Sequence, residues 1–189
     1  PAGLGVTAQN WIGRSQDGAD PFFGGLVDEF AIFDRALGSD ELMSLVVNTQ
    51  VAYYRFAETS GTTARDSSGN GRTATLGTTA GWGGGGVYLN GSYSSVVLPS
   101  GLVSGLKDFT VSAWVKWYGS AQGQALFSFG TGTANYMWLS PLSGGTTMRF
   151  AIRLTGSDEQ QIDGPVLEQG VWKHVAVTKR GSVGTLYVD

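Results

Sequence analysis

Phe109-Thr110-Val111-Ser112-Ala113-Trp114-Val115-Lys116-Trp117 decides the fold class. Phe109, Val111, Ala113, Val115 and Trp117 alternate with Thr110, Ser112, Trp114 and Lys116 over nine positions. That period of two puts one set on each face of a pleated strand, which no helix does. Shorter runs of the same kind lie on both sides: Val51 to Phe56, Val87 to Leu89, Ser95 to Leu98, Ala125 to Phe129, Tyr136 to Leu139, Met148 to Leu154, Trp172 to Thr178 and Thr185 to Asp189. Between them fall the turn formers Ser68-Gly69-Asn70-Gly71, Asn90-Gly91, Gly130-Thr131-Gly132 and Ser143-Gly144-Gly145. Many short strands with such turns predict an all-β protein, either a two-sheet antiparallel sandwich or a barrel.

One stretch reads as helix. Ser39 caps it, Asp40 and Glu41 occupy the first turn where the helix dipole favours them, and Leu42, Leu45 and Val46 recur at helical spacing. It predicts a short closing helix of about two turns. Asn48 to Gln50 reads as a linker, and Gly83 to Gly86 as a mobile or closely packed glycine run.

Composition narrows the function classes. Glycine makes up 30 of 189 residues, more than twice the usual ~7%, yet there is no G-X-Y period and hydrophobic residues reach 41%. Collagen and disorder are both excluded. A net charge of −3 with no Lys/Arg cluster argues against nucleic acid as a partner. The absence of cysteine removes a disulfide scaffold, thiol catalysis and a cysteine zinc site. The opening Pro1-Ala2-Gly3 has no basic or apolar leader pattern and reads as an excised or processed piece, and no apolar run is long enough to span a bilayer.

Two groups of motifs carry a resemblance. Residues 24–37, GGLVDEFAIFDRAL, followed by Ser39-Asp40-Glu41-Leu42, resemble the closing motif of laminin G-like, concanavalin A-like jelly-roll domains. Tyr54 to Glu58, Gly61, Asp66 to Gly71 and Leu89-Asn90-Gly91 resemble their opening, and Asp108 to Val115 their central strand. Trp172 to Thr178 and Leu186 to Asp189 resemble their late hairpin. The order is rotated, because the closing motif occupies residues 1–47 and the opening begins at residue 51. Either the chain is the tail of one tandem repeat plus most of the next, or it is a circular permutant. Only roughly one hairpin would be missing between residues 189 and 1, a short connection by usual loop lengths. Residues 1–47 and 51–189, joined by the linker 48–50, are therefore expected to pack as one sandwich, within a chain or by exchange between copies.

Catalytic chemistry is sparse. His174 is the only histidine, it sits in a strand pattern, and no Gly-x-Ser-x-Gly elbow accompanies it. A half-buried histidine satisfied by a backbone or carboxylate partner is the expectation. Jelly-roll glycosidases of the class the chain resembles place two Glu on one strand face. Here Asp28-Glu29 are read on opposite faces, Asp158-Glu159 lie in a polar loop with Gln160 and Gln161, and no Glu-x-Asp-x-x-Glu occurs. The chain reads as a binding module rather than the enzyme.

Two ligand chemistries stay open. Asp66 to Gly71 supplies a carboxylate, the Asn70 amide oxygen and backbone carbonyls on a tight turn, a set that suits structural calcium. The alternative is a plain Asx-turn from Asp66 to the amide of Ser68. The resemblance implies Asp28 and Glu58 as further calcium ligands. For sugars, aromatic rings near glycine-rich turns are the candidates, Tyr136, Trp138 and Trp82, with Trp117 and Tyr118 beside them. Trp114 and Trp172 read as packing. Arg149 and Arg153 share a strand face and, with Gln124, Gln160 and Asp158, either line a polar groove or are ordinary solvated residues.

The resemblance implies a noncatalytic carbohydrate-binding module of a larger secreted polypeptide, a polysaccharide-degrading glycosidase acting on arabinan or xylan as the first expectation. Its partners would be an oligo- or polysaccharide, neutral or weakly acidic, and the other domains of the parent chain. The alternative is a protein-interaction or adhesion repeat of an extracellular surface protein. A spacer repeat is a third reading.

Overall fold

The computed structural model describes residues 2–37, 50–119 and 121–189. The helix expected over Ser39 to Val46 lies outside the described residues. Among the described residues fifteen strands run in chain order: β1 Gln9–Ile12, β2 Gly24–Phe33, β3 Gln50–Tyr54, β4 Thr63–Ala64, β5 Ala74–Leu76, β6 Gly81–Gly83, β7 Gly86–Asn90, β8 Val96–Val97, β9 Phe109–Trp117, β10 Phe127–Gly130, β11 Tyr136–Ser143, β12 Thr147–Arg153, β13 Gln160–Pro165, β14 Trp172–Arg180 and β15 Val183–Val188. Of the expected linker, Gln50 belongs to β3 instead, paired with Phe33.

The strands form two antiparallel sheets, a jelly-roll sandwich. One sheet has the order β13-β12-β11-β10-β1-β8-β5-β4, and the other β15-β14-β9-β2-β7-β6, with β3 also paired to β2. Strands from the first 33 residues occupy interior positions in both sheets. β1 is flanked by β10 and β8, while β2 is flanked by β9 on one side and by β7 and then β3 on the other.

Between the sheets lies one main core, including the fully buried Phe23, Phe30, Phe56, Phe109, Phe127, Phe129, Trp117 and Tyr54. β9 shows the alternation at work: Phe109, Val111, Ala113, Val115 and Trp117 point into this core, whereas Trp114 faces out and is 38% exposed. Trp117, expected near a loop surface, is instead buried, and its Nε1 donates to Gln124 Oε1 at 2.8 Å. Trp114, expected to be packing, lies instead on the outer face beside the half-buried His174, ring centroids 5.3 Å apart. Burial lowers the His174 pKa, and Asp189 and Glu29 work against that shift.

The ladders depart from regular pairing beside β2. The register of β2 against β9 shifts between Asp28 and Ala31, and Glu29 has φ 47°. A bulge of this kind inserts a residue and re-aims neighbouring side chains. Asp28 and Glu29 therefore line one and the same cleft, correcting the opposite-face expectation. Gly83 to Gly86 form the β6–β7 turn, where a Cβ on Gly86 would stand 2.6 Å from the Val27 carbonyl. Within the run Gly86 is closely packed, whereas Gly83 and Gly85 are exposed with open space around them. At the far edge of the other sheet, the expected polar loop after Glu159 is instead β13, whose Gln160 and Gln161 pair with Ile152 and Ala151.

Candidate functional site

β10, β11 and β12 turn Phe127, Phe129, Met137, Leu139, Met148 and Phe150 into the core. Pleating then places Ser128, Tyr136, Trp138, Arg149 and Arg153 on the outer face of the eight-stranded sheet. The register sets Ser128 opposite Trp138 and Tyr136 opposite Arg153.

Over this face folds the loop from Gly13 to Phe23. Its ends are held together by the Phe23 N–H donating to the Gly13 carbonyl at 3.0 Å, and the Gly13 N–H ties it to Leu126 at 2.9 Å. Gln16 pins the loop down: its Nε2 donates to the Gln9 carbonyl and the Ser128 hydroxyl, each at 3.0 Å, and its Oε1 accepts the Gly132 N–H at 3.3 Å. Asp17 accepts the Ala19 N–H at 2.9 Å, and its carbonyl accepts the Asp20 N–H at 3.2 Å. Loop and sheet form a cleft of about 150 Å³ lined by Ser15, Gln16, Asp17, Asp20, Ser128, Thr133, Tyr136, Trp138 and Arg153.

The electrostatics of this cleft are specific. The Tyr136 hydroxyl donates to the Glu159 carboxylate, and Arg153, opposite Tyr136 in the strand register, works to lower the phenol pKa. Burial, then Glu159, pushes the Tyr136 pKa up to about 12, so it stays a phenol. Burial raises the Asp20 carboxyl, the Ser15 hydroxyl offsets part of this and Asp17 adds to it. Trp138 Nε1 is buried and has no hydrogen-bond partner. A buried donor without a partner costs about 1–3 kcal/mol, so a ligand oxygen or water at that point is favoured. Two aromatic side chains, two carboxylates and a free indole N–H suit a hydroxylated ligand.

Of the residues expected to bind sugar, Tyr136, Trp138 and Arg153 come together here. The others do not. Arg149 is held by Asp163 in a two-pronged pair, Nε to Oδ1 at 2.7 Å and Nη2 to Oδ2 at 2.8 Å. Gln124 is buried and structural, its Nε2 donating to the Phe22 carbonyl at 2.5 Å. Gln160 lines a separate groove between β12, β13 and β15, and Asp158 is exposed in the loop before β13. The expected polar groove of Arg149, Arg153, Gln124, Gln160 and Asp158 is therefore not assembled.

Trp82 lies with Asp28, Glu29, Arg55 and Glu58 in the second cleft, beside the bulge. Its indole N–H already donates to the Gly61 carbonyl at 2.7 Å. Asp28 is pushed up to about 6, by burial first and the Glu29 charge after it, against the Glu29 N–H and Arg55. The folded form therefore favours the protonated acid, and stability present below the unfolded value near 3.9 is lost as pH rises through 6. Asp28→Asn is expected to raise stability at pH 7 by about 1 kcal/mol after allowance for partial exposure, and to have no effect near pH 3.5. Urea melts at the two pH values measure it.

The four residues expected to hold calcium do not meet at one point: Asp28 and Glu58 share the cleft beside the bulge, where Glu58 Oε2 is buried without a hydrogen-bond partner, whereas Asp66 and Asn70 belong to the turn. Asp66 Oδ1 accepts the N–H groups of Tyr53 at 3.0 Å and Ser68 at 2.9 Å, and Oδ2 accepts that of Arg72 at 2.8 Å. Asn70 turns its amide N–H₂ to the carbonyls of Gln50 and Val51 at 2.8 and 3.1 Å, occupying those oxygens. Glu58 Oε1 accepts the Arg65 N–H at 2.8 Å, and Asp28 lies in the cleft beside the bulge. Among the described residues no three histidine, aspartate or glutamate side chains form a group that could hold a metal ion. The turn has the geometry of the Asx-turn, extended to Tyr53 and Arg72.

Sequence reasoning missed Ser15, Gln16, Asp17 and Asp20. The signal available was a pair of turn dipeptides, Asp17-Gly18 and Asp20-Pro21, carrying two acids between strands.

A family model described as the concanavalin A-like lectin/glucanases superfamily matches residues 89–189. The matched part includes β10 to β12, which form the floor of the cleft, and stops short of the loop that covers them. No curated protein and no solved structure matches the chain.

Proposed function

The chain belongs to the concanavalin A-like lectin/glucanases superfamily, and from that premise we propose that it is a noncatalytic module of a secreted polypeptide that binds a glycan in the cleft under the Gly13–Phe23 loop. The observation that carries this reading is the unpartnered Trp138 Nε1, set beside Tyr136, Asp17 and Asp20 in one cleft. Sugar rings offer an apolar face to aromatic side chains and hydroxyls to carboxylates and an indole N–H, so the lining matches them group for group.

Binding is favoured over hydrolysis by where the acids sit. A glycosidase needs carboxyl groups flanking the scissile bond. Asp17 and Asp20 stand instead on one wall, three residues apart in a loop whose amides bond to Asp17 itself.

A glycan array including arabinan and xylan oligosaccharides tests the reading, followed by calorimetry and a reducing-sugar assay. Trp138→Ala is expected to weaken binding of the best array ligand by roughly tenfold or more, the effect of removing a central aromatic contact, with no sugar released by the unaltered chain. A blank array would favour the protein-interaction or adhesion repeat, and released sugar would make the chain an enzyme.

A further inference from the structure

A strip of aromatic side chains lies on the other side of the Gly13–Phe23 loop. Ile12 points into the core, so pleating turns its neighbour Trp11 to the outer face of the eight-stranded sheet. The register sets Trp11 between Ser128 of β10 and Val97 of β8. The Arg14 guanidinium lies over the Trp11 ring, 4.3 Å from its centroid, and 5.9 Å from that of Phe22. The Phe22 ring is in turn 5.4 Å from that of Tyr93. None of these four residues lines the cleft, whose loop wall is made of Ser15, Gln16, Asp17 and Asp20.

Two independent observations mark this strip as a binding surface. Arg14 is exposed, and among the described residues neither a carboxylate nor a carbonyl takes its N–H groups. Rings against its flat face hold the guanidinium in place and leave the N–H groups at its rim open to a planar anion. Tyr93 is 77% exposed and has φ 57°, a left-handed conformation that a bulky side chain adopts only at a cost. Strain at a surface ring, with little burial to offset it, points to use by a ligand.

The surroundings choose among occupants. A carboxylate accepts two parallel N–H bonds from an arginine fork, and sugar rings offer apolar faces to aromatic side chains. β1 and β8 are paired on both sides, so a peptide finds no strand edge here to extend. Arg14 alone, on a chain of net charge −3, does not supply the row of phosphate contacts that holds a nucleic acid.

We propose that Trp11, Arg14, Phe22 and Tyr93 form a second glycan site that takes a uronate-bearing sugar, its carboxylate on Arg14 and its ring on the aromatic side chains. The site is separate from the cleft and does not require the cleft to bind.

The test is calorimetry and an NMR titration of the whole chain with galacturonate and glucuronate oligomers, beside the matching galactose and glucose oligomers. At about 20 mM salt a uronate series is expected to bind and to move the Trp11 Nε1–H and Tyr93 ring resonances, with the neutral match moving them only at roughly tenfold higher concentration. At about 0.5 M salt that gap should shrink. Arg14→Gln is expected to weaken the uronate roughly tenfold, and Arg14→Lys to recover little of it, because an ammonium lacks the fork. Tyr93→Gly, free to adopt φ 57°, is expected to keep or raise the melting midpoint while weakening uronate binding, a split that a merely structural Tyr93 would not show. Absence of uronate binding, or binding that Arg14→Gln leaves unchanged, overturns the site, while the cleft is judged separately by neutral ligands at Trp138. Uronate shifts centred on Trp138 assign the acidic sugar to the cleft and likewise overturn this site. A glutamate oligopeptide or an oligonucleotide that binds as tightly as the uronate, and is lost in Arg14→Gln, overturns the sugar as its occupant.

Discussion

Phe30→Ala is expected to lower the unfolding free energy by about 3–5 kcal/mol, the usual range for emptying a buried aromatic site. For a chain of this length that is a fall in melting midpoint of roughly 10 °C. Phe30 is fully buried on β2, its ring centroid 5.9 Å from that of Phe127 and 6.4 Å from that of Phe129, both on β10 of the opposite sheet. A cavity there removes contacts from both sheets at once. Val6→Ala, at a residue 74% exposed, is the matched control and should change stability by less than about 0.5 kcal/mol. A loss below about 1 kcal/mol for Phe30→Ala would mean that β2 does not lie between β9 and β7 in this core.

Asp66→Ala is expected to cost about 2–4 kcal/mol, because three backbone N–H groups lose one charged acceptor. Burial alone would raise the Asp66 carboxyl, but the Ser68 side chain and the amides of Arg72, Ser68 and Tyr53 outweigh it and hold the pKa below its ordinary value. A depressed folded pKa fixes the sign of the pH dependence. The stabilisation is present above the unfolded carboxylate value near 3.9 and disappears as pH falls through the lower folded value, so the gap between the parent chain and Asp66→Ala closes in acid. Because these oxygens serve amides, a chelator is expected to leave the melting midpoint unchanged. A fall on chelation would show a bound ion.

Regular strands were the legible part of the fold. Phe109 to Trp117 alternates cleanly because one face of β9 is in the core and the other is not, and that contrast is written in residue type. β13 escaped because it is an edge strand with largely exposed residues, QQIDGP, and so has no apolar face to show. Its Pro165, at the strand end, is where an edge tolerates a missing donor. The bulge at Asp28-Glu29 escaped because Glu29 adopts φ 47° without being glycine, a conformation imposed by tertiary pairing rather than by local preference. The same holds for Phe56, at φ 45°, and β3 ends two residues before the apolar run does.

The cleft was half legible. Tyr136 and Trp138 stand out because large aromatic residues beside glycine turns are hard to bury completely, and strand register brings Arg153 to Tyr136. Trp117 has the same neighbourhood and the opposite fate, since Gln124 reaches it across seven residues to satisfy its N–H inside the core. Ser15 to Asp20 could not be assigned from local pattern, because they become lining only when Gln16 reaches Ser128 across 112 residues.

Glycan binding under the Gly13–Phe23 loop is tested most directly by an amide and indole NMR titration with whichever neutral oligosaccharide binds on the array. The cleft predicts that the Trp138 Nε1–H resonance moves most, together with the backbone amides of Ser15 to Asp20. Shifts centred on Trp82 and the cleft beside Asp28, with Trp138 unmoved, would contradict it.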